Sequence, residues 1–338
     1  MHRIRGALLA VAVLAATALA VKGAGAEPLK VRVGWVIAPS NTAPLLAAKQ
    51  DIARHAGTSY VLEPVHFNGT SPMVTAVASG ELEIAPLAYS TFALAVQNAG
   101  LGDLRVIADD FQDGVAGYYT DEYLVLKDSP IRKLADLKGK VLASNATGSA
   151  IDMGLRAMLR KQGFEDKRDY TIIEVGFPNM KAVLKDRKVD LISAVPVITQ
   201  DPEVKAIART LFTQRDAVGT TQMIMWTARA GFLAKNRAAM VDLMEDVLRA
   251  RRFFEDPKNH KEVVEIVAKI TKQPAENLEP WVFVKGADYY RDPDGLPNLD
   301  ALQANVNLQR ELGFLKADIA VKNYVDLGIV QEAARRLT

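Results

Sequence analysis

The stretch "GKVLASNATGSAIDMG" (residues 139–154) decides the fold. Lys140–Ala143 is a short run of strand character. Small hydroxyl and amide residues follow, then Gly148, then a helix with Ile151, Leu155, Met158 and Leu159 on one face. Ser149 suits the position just before that helix, where its oxygen accepts from free backbone amides. Asp152 three residues on makes an imperfect capping box, since Glu or Gln is preferred there. Free amides and the dipole at a helix start favour an anion. The stretch lacks G-x-x-x-x-G-K-[ST] and has no lysine to reach outer phosphates, which argues against a nucleotide. Thr147 stands where a G-x-S-x-G nucleophile turn needs glycine.

The same order of strand, polar turn and helix recurs along the chain. Val31–Ile37 leads to Pro39-Ser40-Asn41-Thr42 and a helix, and Tyr60–Phe67 leads to Asn68-Gly69-Thr70-Ser71-Pro72 and another. Leu82–Leu87 leads to Tyr89-Ser90-Thr91, Thr171–Val175 to Gly176-Phe177-Pro178-Asn179, and Val189–Ala194 to Val195-Pro196. Strands alternating with helices imply an α/β architecture, a mainly parallel sheet flanked by helices. In such sheets the ligand sits beyond the carboxyl ends of the strands, so these turns are expected to converge. Ser40, Thr42, Ser71, Ser90 and Asn179 offer helix caps, and the nearby rings of Tyr89, Tyr118, Tyr119 and Phe177 offer walls for an organic ligand. Trp35 and Trp226 lie inside strands, where packing is the expectation.

Two apolar segments, Tyr118–Leu126 and Gln222–Thr227, stand apart after glycine-bearing loops. The chain beyond them is helical, with Val241, Leu243, Met244, Val247 and Leu248 at helical spacing. This tail has too little strand for a sheet of its own. It is expected to pack back on the first lobe, which makes both segments inter-lobe crossovers. The predicted division is lobe I over 27–117 and 227–338, and lobe II over 118–226.

Residues 1–26 read as a secretory signal peptide: a basic start, an apolar stretch over Ala7–Val21 and the A-x-A pattern Ala24-Gly25-Ala26. Removing them takes away three of 42 basic residues and no acid, leaving 39 against 40 acidic residues, about −1 at neutral pH. No basic excess points to nucleic acid. The absence of cysteine excludes disulfides, thiolate metal sites and thiol nucleophiles. His55, His66 and His260 are the histidines after the leader, and none lies in H-E-x-x-H. His66 ends a strand, where packing or solvent is the expectation. The acidic pairs Glu81/Glu83 and Asp109/Asp110 read as solvated turn charges. No catalytic residue, cofactor or metal is expected.

Three stretches, "KDSPIRKLADLKGKVLASNATGSAIDMGLRAML" (127–159), "NGTSPMVTAVASGELEIAPLAYS" (68–90) and "AVLKDRKVDLISAVP" (182–196), resemble the periplasmic solute-binding proteins of ABC importers. The branch is the one that takes up nitrate, sulfonates, taurine and pyrimidine precursors. The segment "LPNLDALQANVNLQRELGFL…VKNYVDLGIVQEA" (296–333) is similar to its C-terminal end, so the resemblance covers nearly the whole mature chain. It implies a two-lobed type II periplasmic-binding fold, joined by two crossover strands and closing on ligand. It also implies ligand contacts at Ser40, Asn41, Gly69, Thr70, Tyr89, Ser90, Thr147, Gly148, Ser149, Phe177, Asn179 and Val195. The expected protein is a periplasmic monomer that captures a small organic anion, a sulfonate or carboxylate, and hands it to an ABC permease with its ATPase subunits. A binder of nitrate or of a pyrimidine or aromatic solute is the alternative. An enzyme related to the thiamin-pyrimidine synthases is disfavoured, because their cysteine-rich motif has no counterpart here.

Overall fold

The structure, a computed structural model, describes residues 27–337, so the predicted signal peptide lies outside the described residues. In chain order the elements are β1 (Leu29–Trp35), α1 (Thr42–Ala48), β2 (Tyr60–His66), α2 (Thr70–Ala78), β3 (Ile84–Ala88), α3 (Tyr89–Asn98) and β4 (Leu104–Asp113). There follow β5 (Glu122–Leu126), β6 (Val141–Ser144), α4 (Ala150–Lys161), β7 (Thr171–Glu174), α5 (Phe177–Lys185), β8 (Leu191–Ala194), α6 (Pro196–Thr199) and α7 (Pro202–Ile207). Then come β9 (Ala208–Thr213), α8 (Gln214–Val218), β10 (Thr221–Arg229), α9 (Ala230–Glu255) and a helical tail that includes His260–Thr271, Leu299–Glu311 and Gly328–Arg336. Among the described residues, no helix is long and apolar enough to cross a membrane.

Two five-stranded sheets repeat one plan, β2-β1-β3-β10-β4 and β7-β6-β8-β5-β9. Each has three parallel strands followed by one that runs antiparallel to both its neighbours. That antiparallel strand is the one arriving from the other sheet: β5 follows β4, and β10 follows β9. Each sheet with its helices is one lobe of a type II periplasmic-binding fold. The chain passes between lobes at 114–121, directly after β4, and at 219–220, between α8 and β10. Gly114, Gly117 and Gly219 hold positive φ there, which side chains resist. β10 lies whole in the first sheet.

The first sheet is covered on both faces. Alternation along β10 sends Trp226 and Ala228 to one side and Met225 to the other. On the Trp226 side pack Leu243, Met244 and Val247 of α9, with Val263 and Ile329 of the tail. The tail therefore packs against the first sheet. In the second lobe Ile151, Leu155 and Leu159 of α4 meet Leu142, Leu191 and Ile192 of the sheet.

Strands β4 and β9 carry no expectation from the sequence. The reason is clear in β4, "LRVIADDFQD", whose acids break the apolar pattern. Asp109 and Asp110 are not solvated turn charges but fully buried strand residues. The Arg32 guanidinium holds Glu83 instead, with Arg32 Nε donating to it at 2.9 Å.

Close packing singles out Gly154 on α4. A Cβ there would lie 1.9 Å from Gln214 Oε1 and 2.4 Å from the Tyr123 hydroxyl. These atoms are bonded to each other at 2.5 Å, and Tyr123 also donates to the Ile151 carbonyl at 2.7 Å. Gly154→Ala is expected to destabilise the protein by about 2–4 kcal/mol, from overpacking and a lost buried bond. The denaturant midpoint measures it.

Candidate functional site

The site is built from the turns at the carboxyl ends of the strands. Asn41 is the residue before α1, yet it does not cap that helix. Its Oδ1 turns back to accept from the amides of Val36 and Ile37 at 2.9 and 3.1 Å. Its Nδ2 donates to Asp110 Oδ2 at 2.8 Å, and Thr42 donates to Asp110 Oδ1 through its hydroxyl at 2.7 Å. Asp110 thus does the capping from another strand. Helices α2 and α3 start after Gly69 and Ala88 with no side-chain cap. Helix α5 starts after Gly176 and α6 after Val195, also uncapped. Ser71, Ser90 and Asn179 therefore do not cap, because α2, α3 and α5 begin earlier than those side chains suggest, and Ser40 does not cap because α1 begins two residues beyond it, at Thr42.

An inner cleft of about 50 Å³ lies between the lobes, lined by Val36, Ile37, Asn41, Thr70, Ala88 and Phe111 on one side. Asn145, Ser149, Ile151, Phe177 and Val195 line the other, with Asp121 at the first crossing, Met223 of β10 and Tyr289 of the tail. Two polar groups there have no partner: Thr70 Oγ1 and Asp121 Oδ2. Burial, then the neighbouring Asp113 carboxylate, pushes Asp121 well above the usual carboxylate range. Burial likewise raises Asp113, against the donors that hold it down.

The cleft opens into an outer groove of about 460 Å³ that shares Val36, Ile37 and Phe177. Its walls include Trp35, Phe67, Lys181, Val197 and Lys272. His66 stands on the rim, its ring 4.5 Å from that of Trp35 and its Nε2 3.2 Å from the Val36 carbonyl. Hydrogen bonding to Asp201 at 2.8 Å raises the Lys181 pKa above the usual lysine value.

Residues 145–149 do something other than cradle an anion. The Thr147 amide donates to Glu174 Oε1 at 2.8 Å, and the Gly148 amide to Asp152 Oδ2 at 2.8 Å. Ser149 caps α4, accepting from the Asp152 amide, while its hydroxyl donates to Asn145 Oδ1 at 2.7 Å. The chain's own carboxylates thus occupy this helix start. The two carbonyls instead form a latch between lobes: Ser71 Oγ donates to Thr147 O at 2.7 Å and Ser90 Oγ to Gly148 O at 2.9 Å. Asn145 Nδ2 adds a bond to Asn68 O at 3.2 Å.

Of the residues expected at the site, Asn41, Thr70, Ser149, Phe177 and Val195 line the inner cleft. Ser40 is buried beside it, Gly69 packs on Ala146, and Ser90, Thr147 and Gly148 form the latch. Tyr89 is buried, with its hydroxyl 3.4 Å from Ala150 O. Tyr119 bonds Thr199 Oγ1 at 2.9 Å, Tyr118 stacks edge-on with Tyr290, and Asn179 is exposed. The sequence reading missed Phe111, Asp121, Met223 and Tyr289. For Phe111 and Asp121 the signal was the acid-rich strand β4 and its junction with β5; Met223 lies in the apolar segment of β10 and Tyr289 in the turn-rich stretch before the last helices.

The family model described as "NMT1-like family" matches residues 24–268. No curated protein matches the chain. Among solved structures, the alkanesulfonate-binding protein SsuA from Xanthomonas axonopodis pv. citri, bound to MOPS, is 19% identical at a TM-score of 0.69. The match covers 89% of this chain and 99% of that one. The periplasmic nitrate-binding protein NrtA from Synechocystis PCC 6803 is 16% identical at a TM-score of 0.71, over 92% of this chain and 89% of that one. The desulfurization enzyme DSZB is 14% identical at 0.63, over 92% and 100%. At these identities the likeness is one of fold.

One glycine meets the other lobe closely. A Cβ on Gly69 would sit 2.5 Å from Ala146 Cβ across the lobes. Its φ of −174° is extended and suits any residue. Gly69→Ala is expected to leave the unfolding midpoint unchanged but to hold the lobes apart. Solution scattering would show a larger radius of gyration, and ligand affinity would fall roughly ten- to a hundredfold, matching about 1–3 kcal/mol of overpacking.

Proposed function

The chain belongs to the NMT1-like family, and from that premise we propose that it is the periplasmic solute-binding component of an ABC importer. It captures a small organic anion, a sulfonate or carboxylate, between its lobes and delivers it as a monomer to a permease with its ATPase subunits. The observation that carries the anion reading is the pair of uncapped starts of α2 and α3 at the cleft, with the buried Thr70 Oγ1 unpartnered beside them. Those amides lack side-chain partners and favour negative charge. No Arg or Lys lines the inner cleft, so the grip is a cage of neutral donors.

The outer groove takes the body of the solute. Its volume falls in the ordinary range of ligand pockets, whereas the inner cleft alone suits only a head group. Trp35, Phe67 and Phe177 on its walls favour a second reading, in which that body is an aromatic or pyrimidine ring. Nitrate leaves the groove unfilled. We read the chain as a binder and not an enzyme. No His, Lys or Cys lines the inner cleft; the Ser149 hydroxyl is held by Asn145, that of Thr70 has no base as a partner, and burial with the neighbouring Asp121 raises the Tyr289 phenol and keeps it protonated, so no activated nucleophile results.

Calorimetry with a panel of sulfonates and carboxylates tests this. Thr70→Val keeps the shape and removes the donor, and is expected to weaken binding roughly tenfold to a hundredfold, the worth of a hydrogen bond to a charged group. Thr147→Val lies outside the cleft and leaves affinity unchanged. Tight binding of a purely cationic solute, with none of the panel bound, overturns the anion reading.

A further inference from the structure

Away from the cleft, three side chains from distant parts of the sequence meet on the first lobe. His55 lies in the turn between α1 and β2, and Asp242 and Glu245 lie three residues apart on one face of α9. Each offers a donor atom, and these atoms all lie within 4.8 Å of one another. None of the three residues lines the inner cleft or the outer groove.

Each side chain is tied back from behind and leaves one atom facing the group. Asp242 Oδ2 accepts from Ser59 Oγ at 2.5 Å, and Glu245 Oε1 accepts from Arg249 Nη2 at 2.5 Å. Asp246 accepts from the amides of Arg54 and His55 at 2.9 Å each, which fixes the backbone that carries the imidazole. The atoms left over are Asp242 Oδ1, Glu245 Oε2 and His55 Nε2. Glu245 is buried, and His55 Nε2 is a buried nitrogen with no hydrogen-bond partner. It stands 3.2 Å from Glu245 Oε2, close enough to bond but not aligned to do so. Two donors on one tetrahedral zinc ion stand roughly 3.3–3.5 Å apart, given metal–ligand bonds of about 2.0–2.2 Å. A close but unbonded pair fits two ligands of a shared ion.

We propose that His55, Asp242 and Glu245 form a binding site for one zinc ion, which staples the turn between α1 and β2 to α9. One imidazole and two carboxylates, with a fourth position left to water, are a zinc donor set. Held outer atoms such as Asp242 Oδ2 and Glu245 Oε1 are what orient metal ligands. Arg336 of the last helix neutralises the group in the structure: its Nη1 lies 2.9 Å from Asp242 Oδ1 and 3.8 Å from Glu245 Oε2. That side chain is exposed, and Glu332 lies 3.3 Å from its Nε. Zinc displaces the guanidinium toward solvent, where Glu332 still pairs with it. The site is independent of what the cleft binds.

The experiment uses the mature chain without a histidine tag, stripped of metal by a chelator. Zinc is titrated in competition with an indicator dye, and thermal melts are run with and without it. The expected result is one zinc ion per chain and a melting midpoint raised by roughly 5 °C at about a hundredfold excess over Kd. His55→Gln and Asp242→Asn each abolish both effects, and His260→Gln changes neither. Arg336→Gln binds zinc more tightly, because no guanidinium has to be displaced. Absence of zinc binding, binding that survives His55→Gln, or equal or weaker binding by Arg336→Gln overturns the proposal. X-ray absorption on the zinc-loaded wild-type protein decides the matter even if a variant does not fold. One imidazole among oxygen ligands is expected there, and an all-oxygen shell overturns the site.

Discussion

Three carboxylates on one buried strand hold the molecule's parts in register. Asp109, Asp110 and Asp113 of β4 are all fully buried, and each is satisfied from a different direction. Asp110 receives Asn41 and Thr42 and so sets the turn before α1. Asp109 receives Gln222 Nε2 from β10 at 2.7 Å and the Asp292 amide from the tail at 3.0 Å, with Arg251 of α9 beside it. Asp113 receives Thr120 and the Asp121 amide, which ties down the first crossing. Buried carboxylates are stable only when donors surround them. The turn, the tail and the crossing thus have one arrangement in which these three are satisfied together, and the inner cleft lies where they meet.

The same carboxylates explain what was legible in the sequence. Periodicity and turn residues marked six of the ten described strands and the helices after them, because an apolar run followed by polar turn and helix is a local signal, and apolar runs alone marked two more, β5 and β10. The packing of Leu243, Met244 and Val247 on the first sheet was legible for the same reason. Strand β4 was not, because the partners that make Asp109 and Asp110 tolerable lie 68 to 183 residues away. Asp109 and Asp110 therefore looked like turn charges. The site was legible as a set of turns but not as a set of side chains. Thr70, Ser149, Phe177 and Val195 reached the cleft, while Asp121, outside every strand-end turn, did so through the crossing.

Helix starts that look alike in sequence separate by what fills them. Helix α4 has Ser149 as a cap and carboxylates from Glu174 and Asp152 on the amides before it. The hydrogen bond from Thr147 keeps the Glu174 carboxyl below its usual range, so it stays charged at neutral pH and opposes any second anion there. Helices α2 and α3 have no such residue, and their first hydroxyls, Ser71 and Ser90, point across to the other lobe's carbonyls. The quoted stretch is a receiver for the opposite lobe, and the anion-favouring ends belong to the lobe facing it.

That division of labour bears on how the lobes close. The latch consists of neutral bonds from Ser71, Ser90 and Asn145, with Ser71 half-exposed. Each contributes about 0.5–1.5 kcal/mol net, since water replaces it when the lobes part. Closing also leaves Thr70 Oγ1 and Asp121 Oδ2 without partners, at about 1–3 kcal/mol each. The two effects are of similar size and opposite sign, so the latch bonds are offset by the atoms they leave unpartnered. A solute that satisfies both orphaned groups removes the opposing contribution and leaves the latch unopposed. On the proposed solute-binding reading, a solute that gives Thr70 Oγ1 a partner therefore favours the joined lobes as it binds.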